Sequence, residues 1–483
     1  MAETYSNYVD GEWRESATGE TVEVYNPANT DDVTGNYQRS SADDAAGAIE
    51  AAAAAADEWA NTPGTERGTI LRGAARRLDD RSEEATETLV REEGKARPEA
   101  SGEVGRAVNV FYYYAEKARD IGGESKQASA TDANLYTVRE PMGVAGLVAP
   151  WNYPIAIPAW KAAPALASGN SIVLKPAGIA PGTARIIFEC LDDAGIPAGV
   201  ANFVTGPGSE VSTEVVTNDA VDCVSFTGSR SVGETVYDQA TDGGKRIQTE
   251  LGSKNLSVVM PSADIDEAVE TVAGGAFGVT GQACTSTDRA IVHESVVEEF
   301  TEKLVAYAED IDVGPGLEGH EMGPQASRDE LEGTLEYVEI GRNEGATLET
   351  GGTELDGEPY DNGHFVDPAV FSGVESDMRI AQEEVFGPFV GVISVSDFDE
   401  AIEVTNDVEF GLSAGICTHD HTEANRFIDE ADFGVIKVNE ATTGLDLHVP
   451  FGGMNASSSE TYREQGDAGI DFFTITKTVY ENY

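Results

Sequence analysis

The spacing of hydrophobic positions changes several times along this chain, and each change marks off a region. Residues 1–40 alternate short apolar and polar pieces broken by turns, such as Tyr8-Val9-Asp10-Gly11-Glu12-Trp13 and Tyr25-Asn26-Pro27-Ala28. Short extended segments are expected there. Across 42–118 the apolar residues recur at helical spacing. The Ala-rich run 45–56 and the segments 68–79, 83–93 and 106–117 each predict an amphipathic helix. Ser41 or Asp43 can cap the first. The aromatic run Phe111-Tyr112-Tyr113-Tyr114 is expected to pack into the core.

Residues 122–139 turn polar and predict a hairpin leaving the globule. The β-branched, alternating run 472–480 is a suitable partner strand, and the pair is expected to make a subunit contact. From 143 onward the pattern is strand, turn, helix, repeated. Strands are expected over 143–148, 171–174, 202–204 and 223–226, with helices over 182–194 and 210–216. A second block repeats the theme, with strands over 255–260, 289–293, 389–395 and 434–438 and helices over 265–279, 295–308 and 397–406. Alternation of this kind predicts an α/β protein with parallel, doubly wound sheets. Such sheets bind ligands beyond the carboxyl ends of their strands.

Composition narrows the setting. With 483 residues the chain can fill more than one domain. It carries 87 Asp and Glu against 31 Lys and Arg, of which ten are Lys, for a net charge of -56. The acid is spread along the whole chain and no basic footprint exists, so a nucleic-acid partner is excluded. Such a charge repels itself at ordinary ionic strength. In molar salt the Debye length falls to about 3 Å and the repulsion is screened. A halophilic, archaeal cytoplasm fits. The first ten residues lack the basic start and apolar run of a secretory signal, and no segment has the length of a membrane span, so a cytoplasmic location without membrane partners is expected. Cys190, Cys223, Cys284 and Cys417 lie far apart, which indicates neither a disulfide framework nor a metal site.

Candidate chemistry sits where strands end. Asn152, after the strand ending at Val148, carries an amide able to donate to an oxyanion; its plain alternative is a turn residue bonding its own backbone. Lys175 follows the next strand and is placed for a ribose or phosphate, or is a solvated surface cation. Thr227-Gly228-Ser229-Arg230-Ser231-Val232-Gly233 opens a helix whose N-terminus suits a pyrophosphate, although it is not G-x-G-x-x-G. Glu250 lies at a domain junction, where a partly desolvated carboxylate can activate water. In a chain this acidic it can equally be a surface charge. Cys284 sits among the small residues of Gly281-Gln282-Ala283-Cys284-Thr285-Ser286. It is a nucleophile only as its thiolate and otherwise a small hydrophobe that packs.

The order of these pieces says more than any one of them. Pro150-Trp151-Asn152, Lys175-Pro176, Phe226-Thr227-Gly228-Ser229, Glu250-Leu251-Gly252, Gly281-Gln282-Ala283-Cys284, Glu384-Val385-Phe386-Gly387-Pro388 and Pro450-Phe451-Gly452-Gly453 together resemble the aldehyde dehydrogenase superfamily across nearly the whole chain. The resemblance implies that Cys284 attacks an aldehyde to give a thiohemiacetal and then a thioester, with Asn152 and the Cys284 backbone N–H as oxyanion donors and Glu250 as the base that releases the acid. It implies NADP or NAD as cofactor, held by Pro150, Trp151, Lys175, Ala177, Gly178, Gly208, Phe226, Gly228, Ser229, Gly233, Leu251, Glu384 and Phe386. Position 178 has no carboxylate for a ribose 2′-OH, which leans towards NADP. Tyr153, Trp160 and Phe451 are expected to wall the substrate entrance. In family terms, 1–121 with 140–252 form a Rossmann-type dinucleotide-binding domain. Residues 253–448 form the catalytic domain and 449–468 return to the first. Residues 122–139 with 469–483 are oligomerisation strands of a homodimer or homotetramer.

Two positions depart from the family pattern. Ser253 stands in the usual Gly-Gly-Lys, and Asn455 replaces the usual Lys after Gly452-Gly453. The C-terminal runs 457–466 and 474–479 look most like the NADP-linked α-ketoglutarate semialdehyde (2,5-dioxopentanoate) dehydrogenases of pentose and sugar-acid catabolism. Such a substrate carries a carboxylate, for which Arg106, His448 and Ser457 are candidate contacts. A broad-range enzyme, or one for succinate semialdehyde, glycolaldehyde or betaine aldehyde, remains an alternative. A non-catalytic relative of the same fold predicts loss of Cys284, Glu250 or Asn152, and all three are present.

Overall fold

The computed structural model describes residues 2–482; the outermost expected domain positions, 1 and 483, lie outside them. Four helices, Ala42–Asn61, Gly64–Asp80, Ser82–Glu93 and Arg97–Lys117, follow the N-terminal strands. Ser41, not Asp43, caps the first. Its hydroxyl accepts from the Asp44 N–H, and the Asp44 carboxylate accepts from the Ser41 N–H. The fourth starts ahead of its apolar stripe, with a proline in its first turn where no backbone donor is needed. Phe111 and Tyr114 are buried in the largest apolar cluster.

That cluster backs a seven-stranded sheet in the order Arg246–Glu250, Cys223–Thr227, Val144–Val148, Ser171–Lys175, Ala201–Phe203, Asn7–Val9, Glu12–Arg14. The first five are parallel, and the N-terminal hairpin adds an antiparallel edge. The chain starts in the middle at Val144–Val148, lays two strands to one side and then two to the other. The switch point therefore falls between Val144–Val148 and Cys223–Thr227, where a crevice for a ligand opens. Strand Arg246–Glu250 escapes the sequence pattern because it offers one strongly apolar residue, Ile247; it is a strand because Cys223–Thr227 pairs with it along its whole length.

The second sheet runs Thr347–Thr350, Ala369–Ser372, Phe389–Val395, Arg289–His293, Leu256–Val259, Ser413–Cys417, Val435–Val438. All neighbours are parallel except the Thr347–Thr350 edge. Helix Ile265–Phe277 stops short of the expected 279, since Val279 and Thr280 both take φ of 54°. Left-handed backbone at a β-branched residue is costly and often marks a functional loop. The α/β class with doubly wound sheets is as the sequence implies.

A third sheet pairs Thr474–Asn482 with Ala133–Pro141 in antiparallel register from Thr474↔Pro141 to Asn482↔Ala133. Ser125–Lys126 lies on its far side, so Thr474–Asn482 forms an edge, with Ile475 and Tyr480 exposed on it. The segment after 449 packs back on the first sheet: the Leu251 N–H donates to the Ser457 carbonyl and Ser458 bridges to Glu250. Among the described residues no helix is long and apolar enough to cross a membrane.

Candidate active site

The switch point and the loop before Arg289–His293 meet in one cleft of about 270 Å³. Pro150, Trp151 and Asn152 come from the end of Val144–Val148, and Thr227, Gly228 and Ser229 from the end of Cys223–Thr227. Leu251 and Gly252 follow Arg246–Glu250, and Cys284, Glu330, Glu384 and Phe386 close the opposite wall. The Trp151 and Phe386 rings meet edge to face at 5.4 Å. Of the four free cysteines only Cys284 is not buried.

The Cys284 loop is held from below. Asn255 Nδ2 donates to the carbonyls of Cys284 at 2.8 Å and Ser286 at 2.9 Å. Thr442 Oγ1 donates to the Thr285 carbonyl at 2.6 Å. Gly281 has φ of 65°, and a Cβ there would lie 1.9 Å from the Gly387 carbonyl oxygen, so no other residue fits. Burial pushes the Cys284 thiol well above its usual range, reinforced by Glu384, Glu250 and Glu464, while its own backbone N–H beside the sulfur opposes the shift.

Asn152 is buried, and its Nδ2 donates to the Gln282 carbonyl at 3.0 Å. Its own carbonyl accepts from Lys95 Nζ at 2.7 Å, and Lys95 in turn pairs with Glu103 at 2.7 Å. The other oxygen of Glu103 accepts the N–H groups of Ile155 and Ala156, each at 3.0 Å, at the start of helix Ala156–Ser168. A fully buried ion pair thus sets the Asn152 turn.

Glu250 does not line the cleft. Its carboxylate accepts from the Gly453 N–H at 3.0 Å and from Ser458 Oγ at 3.4 Å. Burial and the like charge of Glu464 raise its pKa well above the usual carboxylate range. Glu464 accepts from Lys161 Nζ at 2.5 Å, and both are buried. Glu384 is also raised, to about 7, by burial, while accepting from the Ser253 N–H at 2.9 Å. The change to Ser253 is absorbed: its hydroxyl accepts from the Leu412 N–H. Asn455 is exposed with φ of 53°, a conformation that suits Asn.

The cofactor candidates divide into three groups. Lys175 is buried without a charge partner, and burial lowers it to about 8. Ala177 and Gly178 follow it, and a Cβ on Gly178 would meet nothing within 4 Å. Gly178 lies on the wall of a second cavity, about 500 Å³, which Gly206 and Pro207, just before the exposed Gly208, also line. Ser229 precedes helix Arg230–Asp242 without capping it, leaving the first N–H groups free. Gly233 is packing, since a Cβ there would lie 2.1 Å from Leu251, and Phe226 is core, with Gly228 resting on its ring. A dinucleotide fits these features: an unpaired cation, open space beside it and a free helix N-terminus.

Among the substrate candidates, Trp160 and Phe451 are buried with ring centroids 6.1 Å apart. Tyr153 packs under Lys95 Nζ at 4.3 Å, and burial first raises its hydroxyl, with Lys95 opposing and Cys284 near enough to add to the shift. Ser457 is a correction: its hydroxyl is spent on the Gly252 carbonyl at 2.9 Å and the Gly411 N–H at 3.1 Å. Lys95, Glu103, Asn255, Lys161 and Glu464 are absent from the sequence reading. Lys95 and Lys161 had a signal, since lysine is scarce here and Lys161 interrupts an apolar helix.

A model of the aldehyde dehydrogenase family matches residues 13–479. The chain is 62% identical to an alpha-ketoglutarate semialdehyde dehydrogenase of Haloferax volcanii, over the whole of both chains. It is 45% identical to an alpha-ketoglutaric semialdehyde dehydrogenase of Bacillus subtilis, covering 99% of this chain and 98% of that one. The solved structure of a 3,6-anhydro-L-galactose dehydrogenase in complex with NAP superposes with a TM-score of 0.95 at 34% identity, covering 99% of this chain and all of that one.

Proposed function

Since this chain belongs to the aldehyde dehydrogenase family of oxidoreductases, we propose that it oxidises α-ketoglutarate semialdehyde to α-ketoglutarate with Cys284 as nucleophile. The observation that carries this reading is one accessible thiol sharing a cleft with the Asn152 amide. The Cys284 thiol gives up its proton to water in the cleft, and the thiolate adds to the aldehyde carbon. Asn152 Nδ2 and the Cys284 N–H stabilise the oxygen that becomes negative, as preorganised donors do. A nicotinamide dinucleotide, when bound, takes up the two electrons of the oxidation. Glu250, freed of its proton, activates water to release the acid from the cysteine thioester. Trp151, Glu384 and Phe386 hold the reactive end of the cofactor, and Ser229 with its helix N-terminus holds the phosphates.

The family uses NAD or NADP, and Lys175 beside the empty space at Gly178 favours NADP, because a 2′-phosphate gains a cation and meets no carboxylate. The exposed edge strand Thr474–Asn482 supports a homodimer or homotetramer, since an unpaired edge with Ile475 and Tyr480 on it invites a second copy. The substrate reading is supported by relatives that bear that activity in their names. Rates of NADPH formation in molar KCl with α-ketoglutarate semialdehyde, succinate semialdehyde, glycolaldehyde and propanal test it. Preference for the first is expected; equal rates would make this a broad-range enzyme. A lower KM for NAD than for NADP would overturn the cofactor reading.

A further inference from the structure

Three side chains with N–H donors to spare, Arg106, Trp160 and Gln465, gather in one place. Arg106, on helix Arg97–Lys117, places its guanidinium 5.6 Å from the centre of the Trp160 ring. It donates to the Leu445 carbonyl and, at 2.7 Å, to Gln465 Oε1. A guanidinium has five N–H donors, so three remain unspent. In a chain with 87 acidic residues, Arg106 makes no ion pair among the described residues; Asp446 and Glu103 act on it only at longer range.

Its two neighbours carry the same deficit. Trp160 Nε1 and Gln465 Nε2 are buried with no hydrogen-bond partner. Trp160 is 5% exposed and Gln465 1%. Because Gln465 Oε1 already accepts from Arg106, its Nε2 on the same amide also sits beside the guanidinium. Gln465 moreover holds φ of 64°, a strained conformation for a side chain that leaves its own donor unsatisfied. Buried donors without acceptors are rare in proteins and ask for an explanation, and strain of this kind collects at ligand clamps. Two buried carboxylates nearby are already committed to cations, Glu103 to Lys95 and Glu464, through one of its oxygens, to Lys161. What the cluster lacks is an acceptor with a negative charge. Tyr153 is close enough to feel both Arg106 and Cys284 electrostatically, so the cluster and the sulfur share one neighbour.

We propose that Arg106, Trp160 Nε1 and Gln465 Nε2 form a subsite that binds the carboxylate end of the substrate while its aldehyde meets Cys284. The subsite rests on the reading of α-ketoglutarate semialdehyde as substrate. Arg106 remains partly exposed, so the carboxylate reaches it from solvent. A planar fork suits a carboxylate through two parallel bonds, and the indole and amide N–H groups add one each. A neutral aldehyde of equal length gains none of these bonds and leaves the donors unpaired.

The test compares α-ketoglutarate semialdehyde with pentanal in molar KCl, in wild type, Arg106→Met, Arg106→Lys and Gln465→Glu. The last sets a carboxylate against Arg106 in competition with substrate. Wild type is expected to favour the semialdehyde, and Arg106→Met to lower the ratio of kcat/KM values by about 30-fold or more, mostly through KM. Arg106→Lys recovers part of the ratio, and Trp160→Phe, which keeps a ring but removes the N–H, gives a smaller loss. Inhibition by α-ketoglutarate weakens in parallel. A wild type that favours the semialdehyde with an Arg106→Met variant that keeps the ratio overturns the subsite alone. Equal losses for both aldehydes reduce Arg106 to a structural tie and also overturn it. A wild type without preference overturns the substrate reading, and the subsite with it.

Discussion

The side-chain amide of Asn152 donates to the backbone carbonyl of Gln282, 3.0 Å away. This bond joins the two sheets at the cleft: Asn152 follows the first strand of one, and Gln282 belongs to the loop carrying Cys284. It uses one hydrogen of the amide and leaves the other for the oxygen of an aldehyde carbon bonded to the Cys284 sulfur. Asn152→Ala is expected to lower kcat by about 10²–10³ while a single alkylation at Cys284 persists. A kcat within a few-fold of wild type would remove Asn152 from the oxyanion site.

Glu250 and Glu464 set the pH profile. Burial first, and then the charge of Glu464, raise the Glu250 pKa well above the usual carboxylate range and favour its protonated form. Its use as a base requires loss of that proton, so the deacylation rate is expected to rise as pH climbs. Glu464→Gln removes a like charge and leaves Lys161 uncompensated, and both changes lower the Glu250 pKa. The rising limb of kcat against pH should then move to lower pH. A limb that stays in place would assign the shift to burial alone.

Lys95 is fully buried between Glu103, Glu93 and the Asn152 carbonyl. Removing one member of a buried ion pair typically costs about 3–5 kcal/mol, because the other charge stays behind. Lys95→Met should lose stability of that order in urea titrations performed in molar KCl. It should also reduce kcat, since the Asn152 turn loses its anchor. A variant as stable as wild type would show that the buried pair makes no net contribution to the fold.

The net charge of -56 predicts that activity and melting temperature fall when the protein is moved from molar KCl to dilute buffer. There the Debye length grows from about 3 Å to about 10 Å at 0.1 M, and acidic faces repel across it. Sulfate and chloride salts of equal ionic strength should restore activity alike if screening is the cause. Full activity in dilute buffer would dismiss the electrostatic account.

Much of this was readable from residue order. The periods of the helices 42–118 and of the strand–helix alternation after 143 placed most elements, because amphipathic spacing follows directly from which face meets the core. The family motifs singled out Cys284, Asn152, Glu384 and the Gly228–Ser229 turn, since each is a local strand-end or loop feature. The acidic composition spoke for a halophilic origin, and the relative from Haloferax volcanii agrees.

Tertiary structure decided the rest. Strand Arg246–Glu250 is nearly all polar by residue type and became the edge strand of the first sheet through its pairing with Cys223–Thr227. Lys95–Glu103 and Lys161–Glu464 are buried ion pairs, the second across 303 residues of sequence, and nothing local distinguishes such acids from the other 85. Whether a carboxylate is a solvated charge or a raised, buried acid depends on desolvation, which only packing supplies. Ser457 looked available and is saturated, whereas Trp160, Gln465 and Arg106 are joined with donors to spare. A sequence states which groups can bond; the fold alone determines which are left without partners.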